Sequence, residues 1–257
     1  MLRFFRPRSP VAPETEAWLR DGYLWLVDAF GAAPSHRPTL CPTPDDVPWP
    51  FDGSAEALEP VLDMAAERVR VSRDDLALVV HEDSDPHGDL MHSTGAQGSW
   101  STPTNSDFSL PDAASSLRHT IEMPASVAAD PTAALAHGVC SARLLAFGIE
   151  GDRDTLVDLA TVFFGFGVFT ANSIFQESDW QGASQSGWSM RRLGNLTYPE
   201  AGFALALHAT ARGERKLAWA RHLRLDARRP FQKALRVLGE SRRYGARITS
   251  SRSSQGR

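Results

Sequence analysis

The sequence predicts an α+β protein, mainly helical, with a small sheet packed on a central pair of helices. Three observations support this fold class. Apolar residues recur at helical spacing in several segments. Only two short runs of β-type residues lie between them. In addition, 42% of the 257 residues are hydrophobic and 23% are charged, which is typical of a globular chain that buries its own core.

Six segments are predicted to be helical from their apolar spacing and start signals. The third and fourth form the central pair: Pro131 suits the first turn of one, and Asp154 suits the positive end of the dipole of the other. Gly165 and Gly167 each cost about 1 kcal/mol inside a helix, so they indicate either tight packing of the fourth segment against the third or a kink. The six segments are residues 14–30, 55–69, 131–146, 154–173, 199–212 and 230–243.

The small sheet is predicted from residues 76–80, ending at His81, and from residues 119–123. Residues 84–107 are rich in Gly, Ser, Asp, Thr and His and are predicted to be a loop or an irregular hairpin. The aromatic residues of the second central helix are assigned to the core: Phe163, Phe164, Phe166 and Phe169.

We divide the chain into an N-terminal helical extension (1–33), a single domain (34–240) and a basic, disordered tail (241–257). Residues 211–257 hold 14 Lys and Arg against three acidic residues, a balance of +11, which leaves −15 on the rest of a chain of net charge −4. Such a segment binds nucleic acid, an acidic partner or its own acidic body, or is a solvated helical face. Sparse aromatic residues disfavour nucleic acid.

No apolar run reaches the roughly 18 residues of a membrane span, and residues 1–13 lack the apolar region of a secretion signal. The two cysteines, Cys41 and Cys140, are too few for a disulfide framework. We therefore expect a cytoplasmic protein with no membrane partner.

The first central helix contains the sequence AHGVCS, residues 136–141. His137 and Ser141 are four residues apart and share a helix face. Zinc peptidases place two histidines at this spacing so that both bind one tetrahedral ion, and the glutamate after the first histidine is the general base for the metal-bound water. Here Gly138 stands at the glutamate position and Ser141 at the second histidine position. Neither residue supplies the lost chemistry.

Residues 158–172, DLATVFFGFGVFTAN, resemble a signature of a family of uncharacterised bacterial HExxH zinc-peptidase-like (zincin-like) proteins, where it follows the HExxH helix. Weaker similarity extends to residues 41–53 and to residues 203–207, 212–214 and 219–224. The resemblance covers roughly residues 38–238. The chain looks like a degenerate member of this family, which implies a zincin-like domain over residues 34–240.

The resemblance implies a remnant site made by His137, Ser141, Asp154 and Asp158. His137 corresponds to the family's first histidine ligand, and one aspartate is, or supports, the third. Because the general base and one ligand are missing, the resemblance implies no zinc cofactor and no hydrolysis; base assistance alone is worth about 100- to 10,000-fold. We expect Asp158 to be buried and hydrogen-bonded to His137, or alternatively to meet backbone amides.

Two other groups carry relevant chemistry. His81, His87 and His92 lie on one segment with four acidic residues and form an alternative metal site. Cys140, beside the lost ligand position, is a candidate thiol nucleophile or replacement ligand; a buried structural cysteine is the other interpretation.

The leading functional hypothesis is a catalytically inactive zinc-peptidase-like protein that binds another, unidentified protein. The first alternative is a metal-dependent hydrolase with an altered site formed by His137, Asp158 and the 81–92 segment. The second alternative is an immunity- or adaptor-type partner in a bacterial conflict or secretion system.

Overall fold

The computed structural model describes residues 8–47, 54–81, 119–124, 131–147, 153–181 and 186–253. The helices in these ranges are α1 (Pro13–Phe30), α2 (Ala55–Val69), α3 (Thr132–Leu145), α4 (Arg153–Phe163), α5 (Gly167–Asn172), α6 (Tyr198–Ala211) and α7 (Leu225–Ser253). The strands are β1 (Leu76–His81), β2 (His119–Pro124), β3 (Phe175–Gln181) and β4 (Ser186–Arg192). Short 3₁₀ turns occur at Pro34–His36, Arg73–Asp75 and Ala218–His222.

The described strands form two separate two-stranded sheets. β1 and β2 are parallel, with Leu76 opposite His119 and His81 opposite Pro124. The predicted mainly helical α+β class with this small sheet is confirmed, whereas the zincin-like arrangement stays a prediction. β3 and β4 form an antiparallel hairpin that sequence reasoning missed, because their polar sequences, FQESDWQ and SGWSMRR, lack an apolar alternation.

The single helix predicted over residues 154–173 is wrong, because α4 and α5 are separated at residues 164–166. Gly165 has a φ of 92°, in the left-handed region that only glycine adopts freely. From α2, Arg68 Nε donates to the carbonyl oxygen of Phe164 at 2.6 Å, and another Arg68 nitrogen donates to that of Pro38. The Gly165 carbonyl oxygen accepts from Leu40 N at 2.9 Å. The kink alternative is therefore the one observed.

Gly167 permits a close approach, but to a different helix from the one expected. A Cβ there would lie 2.7 Å from Leu205 Cδ2 of α6. The predicted tight packing therefore exists against α6 and not against the first central helix.

The helix predicted to start at Pro230 begins five residues earlier, at Leu225, and its backbone is helical to Ser253. Pro230 therefore lies inside α7. The division of the chain into an extension, a domain and a tail from residue 241 stays a prediction. The last four residues lie outside the described part of the chain.

One core joins the helices that hold the candidate site. α3 is buried on nearly every side and packs against α2, α4, α5 and β2. α1, predicted as an extension, buries Leu19, Tyr23 and Leu26 in the same core. The core assignment of the second central helix is confirmed, since its aromatic side chains are all buried: Phe163, Phe164, Phe166 and Phe169.

No helix in the described ranges is both long enough and apolar enough to cross a membrane.

Candidate functional site

α3 and α4 bring His137 and Asp158 together in the interior. His137 is 9% exposed and Asp158 is 1% exposed. Nε2 of His137 lies 3.4 Å from Oδ1 of Asp158, beyond the distance of a good hydrogen bond. Within the described residues, neither of these two atoms has a hydrogen-bond partner. The two side chains are therefore neighbours, as expected, but the expected hydrogen bond is not formed.

The second oxygen of Asp158 binds backbone amides. Oδ2 accepts from Asn195 N at 2.6 Å and from Leu196 N at 3.0 Å. Gly194 precedes them with a φ of 78°, and a Cβ there would lie 2.7 Å from both carboxylate oxygens. The alternative expected for Asp158 is therefore also realised. Its carboxylate ties α4 to the turn that leads into α6.

The electrostatics of Asp158 follow from its burial. Loss of hydration raises the pKa of this carboxyl, and the charge of Asp154 adds to the rise. His137 and the amides of Leu196 and Asn195 act in the opposite direction. Asp154, one helical turn before Asp158, is only half-buried. Of the two aspartates predicted for the site, Asp158 is the one whose carboxylate lies beside His137.

Gly138 is held against β2. A Cβ at this position would lie 2.8 Å from Cγ2 of Ile121, and two further Ile121 carbons would be at 3.0 Å. The space into which a residue 138 side chain would extend is therefore occupied by Ile121. A glutamate at this position has no room unless the Ile121 side chain or its strand moves.

Ser141 is 1% exposed, and its hydroxyl has no hydrogen-bond partner within the described residues. It lies one helical turn after His137, on the same face of α3. Three buried polar atoms without partners therefore belong to the remnant site: His137 Nε2, Ser141 Oγ and Asp158 Oδ1.

Cys140 is fully buried, as the structural interpretation expected. Burial raises the pKa of its thiol far above the ordinary value, and the nearby charge of Asp158 raises it further. Because the thiolate is the reactive form, this environment opposes the nucleophile interpretation.

The alternative metal site falls largely outside the described ranges. His81 ends β1, whereas His87 and His92 lie outside the described residues. Within those ranges, no group of three or more His, Cys, Asp and Glu residues is arranged to hold a metal ion.

Sequence reasoning missed a buried polar network between α1 and α6. Nδ1 of His208 lies 3.0 Å from the Tyr23 hydroxyl, and Nε2 lies 3.3 Å from Arg212 Nη1. Arginine only donates, so Nε2 accepts and Nδ1 carries the proton. The Tyr23 oxygen then accepts from His208. The one signal in the sequence is a histidine inside the apolar helix AGFALALHATA.

This network holds His208 and Tyr23 in their neutral forms. Burial and the nearby charges of Arg212, Arg68 and His36 lower the pKa of His208 to about 3. Burial raises the pKa of Tyr23 to about 12. The network therefore joins helices and is not set up for proton transfer near neutral pH.

Comparison with protein-family models, curated proteins and solved structures gives no match to this chain.

Proposed function

We propose that this protein is a catalytically inactive relative of the HExxH zinc peptidases that acts by binding another protein. The observation that carries this proposal is the contact between Gly138 and Ile121. Ile121 carbons lie within 3.0 Å of the position of a residue 138 Cβ. A general base at this position would need the space that the strand side chain fills.

The remaining donors also support the absence of hydrolysis. A catalytic zinc needs about three protein ligands and an open position for water. Of the residues in the remnant site that face each other, only His137 and Asp158 offer strong donors, and one Asp158 oxygen already accepts two amides. The serine hydroxyl at position 141 is a weak zinc ligand.

A binding role is supported by an exposed aromatic cluster, which we call the Trp25 cluster: Trp25, Phe30, Phe147 and Arg143. Trp25 is 36% exposed and Phe147 is 45% exposed. Phe30 stacks edge-on with both rings, and the Arg143 guanidinium lies 5.4 Å from the Phe30 ring centroid. Aromatic and arginine side chains are the types enriched at the centres of protein interfaces. An adaptor or immunity-type role is one form of such binding.

Metal analysis and peptide cleavage test the inactive state. Purified protein is expected to hold far less than one zinc per chain and to cleave a peptide library no faster than His137→Ala. One equivalent of zinc that disappears in His137→Ala, with cleavage that disappears at the same time, would overturn the proposal.

Restoring the second histidine tests the relationship to zinc sites. Ser141→His is expected to raise zinc affinity at least about tenfold over wild type, because a third strong ligand joins His137 and Asp158. Zinc titration by calorimetry measures it, and Ser141→His/His137→Ala is the matched control. Equal affinities in the two variants would show that these positions do not share one ion.

The binding role is tested by capture from the native host. Trp25→Ala/Phe147→Ala is expected to lose a partner that wild type retains, whereas the exposed control Leu225→Ala retains it. Retention of every captured protein by the double variant would remove the Trp25 cluster from the proposal.

One observation favours a second candidate, a metal-dependent hydrolase with an altered site. Two ligands on one tetrahedral zinc, each about 2.0–2.1 Å from the ion, lie about 3.4 Å apart. His137 Nε2 and Asp158 Oδ1 have this separation, and both are buried without a hydrogen-bond partner in the described ranges. These two residues would hold the ion, and the metal analysis above separates the candidates.

A further inference from the structure

The outward face of α1 is acidic. Glu14, Asp21 and Asp28 are all exposed and follow one another at intervals of seven residues. This spacing places them on one face of the helix, about 10.5 Å apart along its axis. Within the described part of the chain, none of the three makes an ion pair or a hydrogen bond. Leu24, which is 60% exposed, lies between Asp21 and Asp28.

The outward face of α7 is basic and has the same period. Arg229 and Arg236 are exposed and seven residues apart, with exposed Lys233 between them. Position 243, also arginine, lies a further seven residues along the helical backbone. This stripe lies opposite the residues that α7 buries: Ala227, Phe231, Ala234 and Leu238. Leu225, which is 61% exposed, is one turn before Arg229.

Among the described residues, neither face packs against another element of the chain. α1 packs on α4 and α6 with its buried side, and α7 packs on α6. No ion pair joins α1 to α7 among the residues whose side chains are described. The two faces have opposite charge, matching seven-residue periods and an exposed leucine each.

We propose that this chain binds a second copy of itself, with the acidic face of α1 in one copy lying along the basic face of α7 in the other. The unequal charge of the chain, +11 over residues 211–257 and −15 elsewhere, favours the same pairing. Single exposed ion pairs contribute little. The association therefore depends on the whole row of charges, and added salt weakens it.

Sedimentation of the purified full-length chain tests this. At about 0.01 M salt, where the screening length is about 30 Å, we expect a concentration-dependent mass above the monomer; at about 1 M, where it is about 3 Å, we expect monomer. A monomer at every concentration in low salt overturns the proposal.

Charge reversal identifies the faces. Asp21→Arg/Asp28→Arg makes both faces basic, and Arg229→Asp/Arg236→Asp makes both acidic. Each variant alone is expected to weaken self-association at least about tenfold. An equimolar mixture of the two is expected to associate again, because each α1 then meets an α7 of opposite charge.

The matched control, Glu67→Arg/Asp74→Arg, reverses two exposed acidic residues elsewhere on the protein. It is expected to associate like the wild type. Thermal melts verify that every variant is folded. Failure of the mixture to associate, or equal loss in the control, contradicts the pairing of these faces.

A polyanion is the alternative ligand for a basic face. Fluorescence titration with a labelled DNA duplex distinguishes it from a second copy of the chain. Binding of the duplex by a wild-type protein that stays monomeric would assign α7 to a polyanion and overturn the proposal. The charge-reversal experiments are independent of the remnant site, because none of the substituted residues contacts that site.

Discussion

At the scale of single residues, the two carboxylate oxygens of Asp158 have different surroundings. One oxygen faces His137 at 3.4 Å, and the other accepts the amides of Asn195 and Leu196. The amide of Leu196 needs an acceptor because it is buried, and that acceptor need not carry a negative charge. The stability of the fold therefore requires a hydrogen-bond acceptor at position 158, and not its negative charge.

Substitution of Asp158 separates the two roles. Asp158→Asn keeps an acceptor for both amides and is expected to leave the free energy of unfolding at pH 7 unchanged or higher. Asp158→Ala leaves the buried amide of Leu196 without this acceptor and is expected to lower it by about 1–3 kcal/mol. Urea denaturation measures both.

The pH dependence of the same variants follows from the raised pKa of Asp158. The folded state holds this proton more tightly than the unfolded state, so the group's contribution to stability falls as pH rises from the unfolded value through the folded one. Asp158→Asn removes that dependence. If Asn destabilised the protein as much as Ala, the charge itself would be the important feature.

His208 is expected to make the protein acid-sensitive. Its pKa of about 3 when folded lies below the unfolded value of 6.5, so its contribution to stability is complete above pH 6.5 and is lost as pH falls toward 3. The slope approaches about 1.4 kcal/mol per pH unit. His208→Asn, which cannot take up the proton, is expected to reduce the slope between pH 6.5 and 4.5. An unchanged slope would assign the acid sensitivity to other groups.

At the scale of elements, close approaches decide how the central helices lie. Gly138 brings α3 against Ile121 of β2, and Gly165, just after the end of α4, lies against Arg68. Each of these close approaches is possible because glycine has no side chain. The helix pair and the small sheet therefore cannot shift relative to each other without a change at these contacts.

A paired substitution tests the contact between α3 and β2. Gly138→Ala is expected to destabilise the protein by about 1–3 kcal/mol, because the new methyl group overlaps Ile121. In the Ile121→Ala background the same change is expected to be nearly neutral. A double-mutant cycle of unfolding free energies measures the coupling; additive effects would show that the two residues do not exclude each other.

At the scale of the whole molecule, one core extends from α1 to α7. Leu19 of α1 and Phe231 of α7 belong to the same cluster of buried residues. The hydrogen bond from His208 to Tyr23 adds a polar link between α1 and α6. Residues 8–30 therefore contribute to the stability of the whole domain.

Two leucines of α1 test this contribution. Leu19→Ala, at a fully buried position, is expected to lower the free energy of unfolding by about 2–5 kcal/mol while the transition stays single. The matched control, Leu24→Ala at an exposed position, is expected to change it by less than about 0.5 kcal/mol. A separate early transition in Leu19→Ala, followed by an unshifted main one, would show that α1 unfolds independently.

The elements that the sequence predicts well are those with a local signal. The helices at residues 13–30 and 55–69 and the parallel strands carry their periodicity or their β-type residues in consecutive positions. The hairpin of β3 and β4 has no such signal, and the early start of α7 contradicts the usual first-turn position of proline.

By itself, the amino-acid sequence determined the fold class, the paired strands, the burial of Asp158 and the presence of glycine and serine at positions 138 and 141, because each depends on residue type and on neighbours along the chain. Only the tertiary structure decided that Ile121 fills the space beside Gly138, that backbone amides 195 and 196 share the Asp158 carboxylate, and that His208 is linked to Tyr23. These are contacts between residues 17 to 185 positions apart. Spacing along a chain does not determine which distant atoms meet when the core closes.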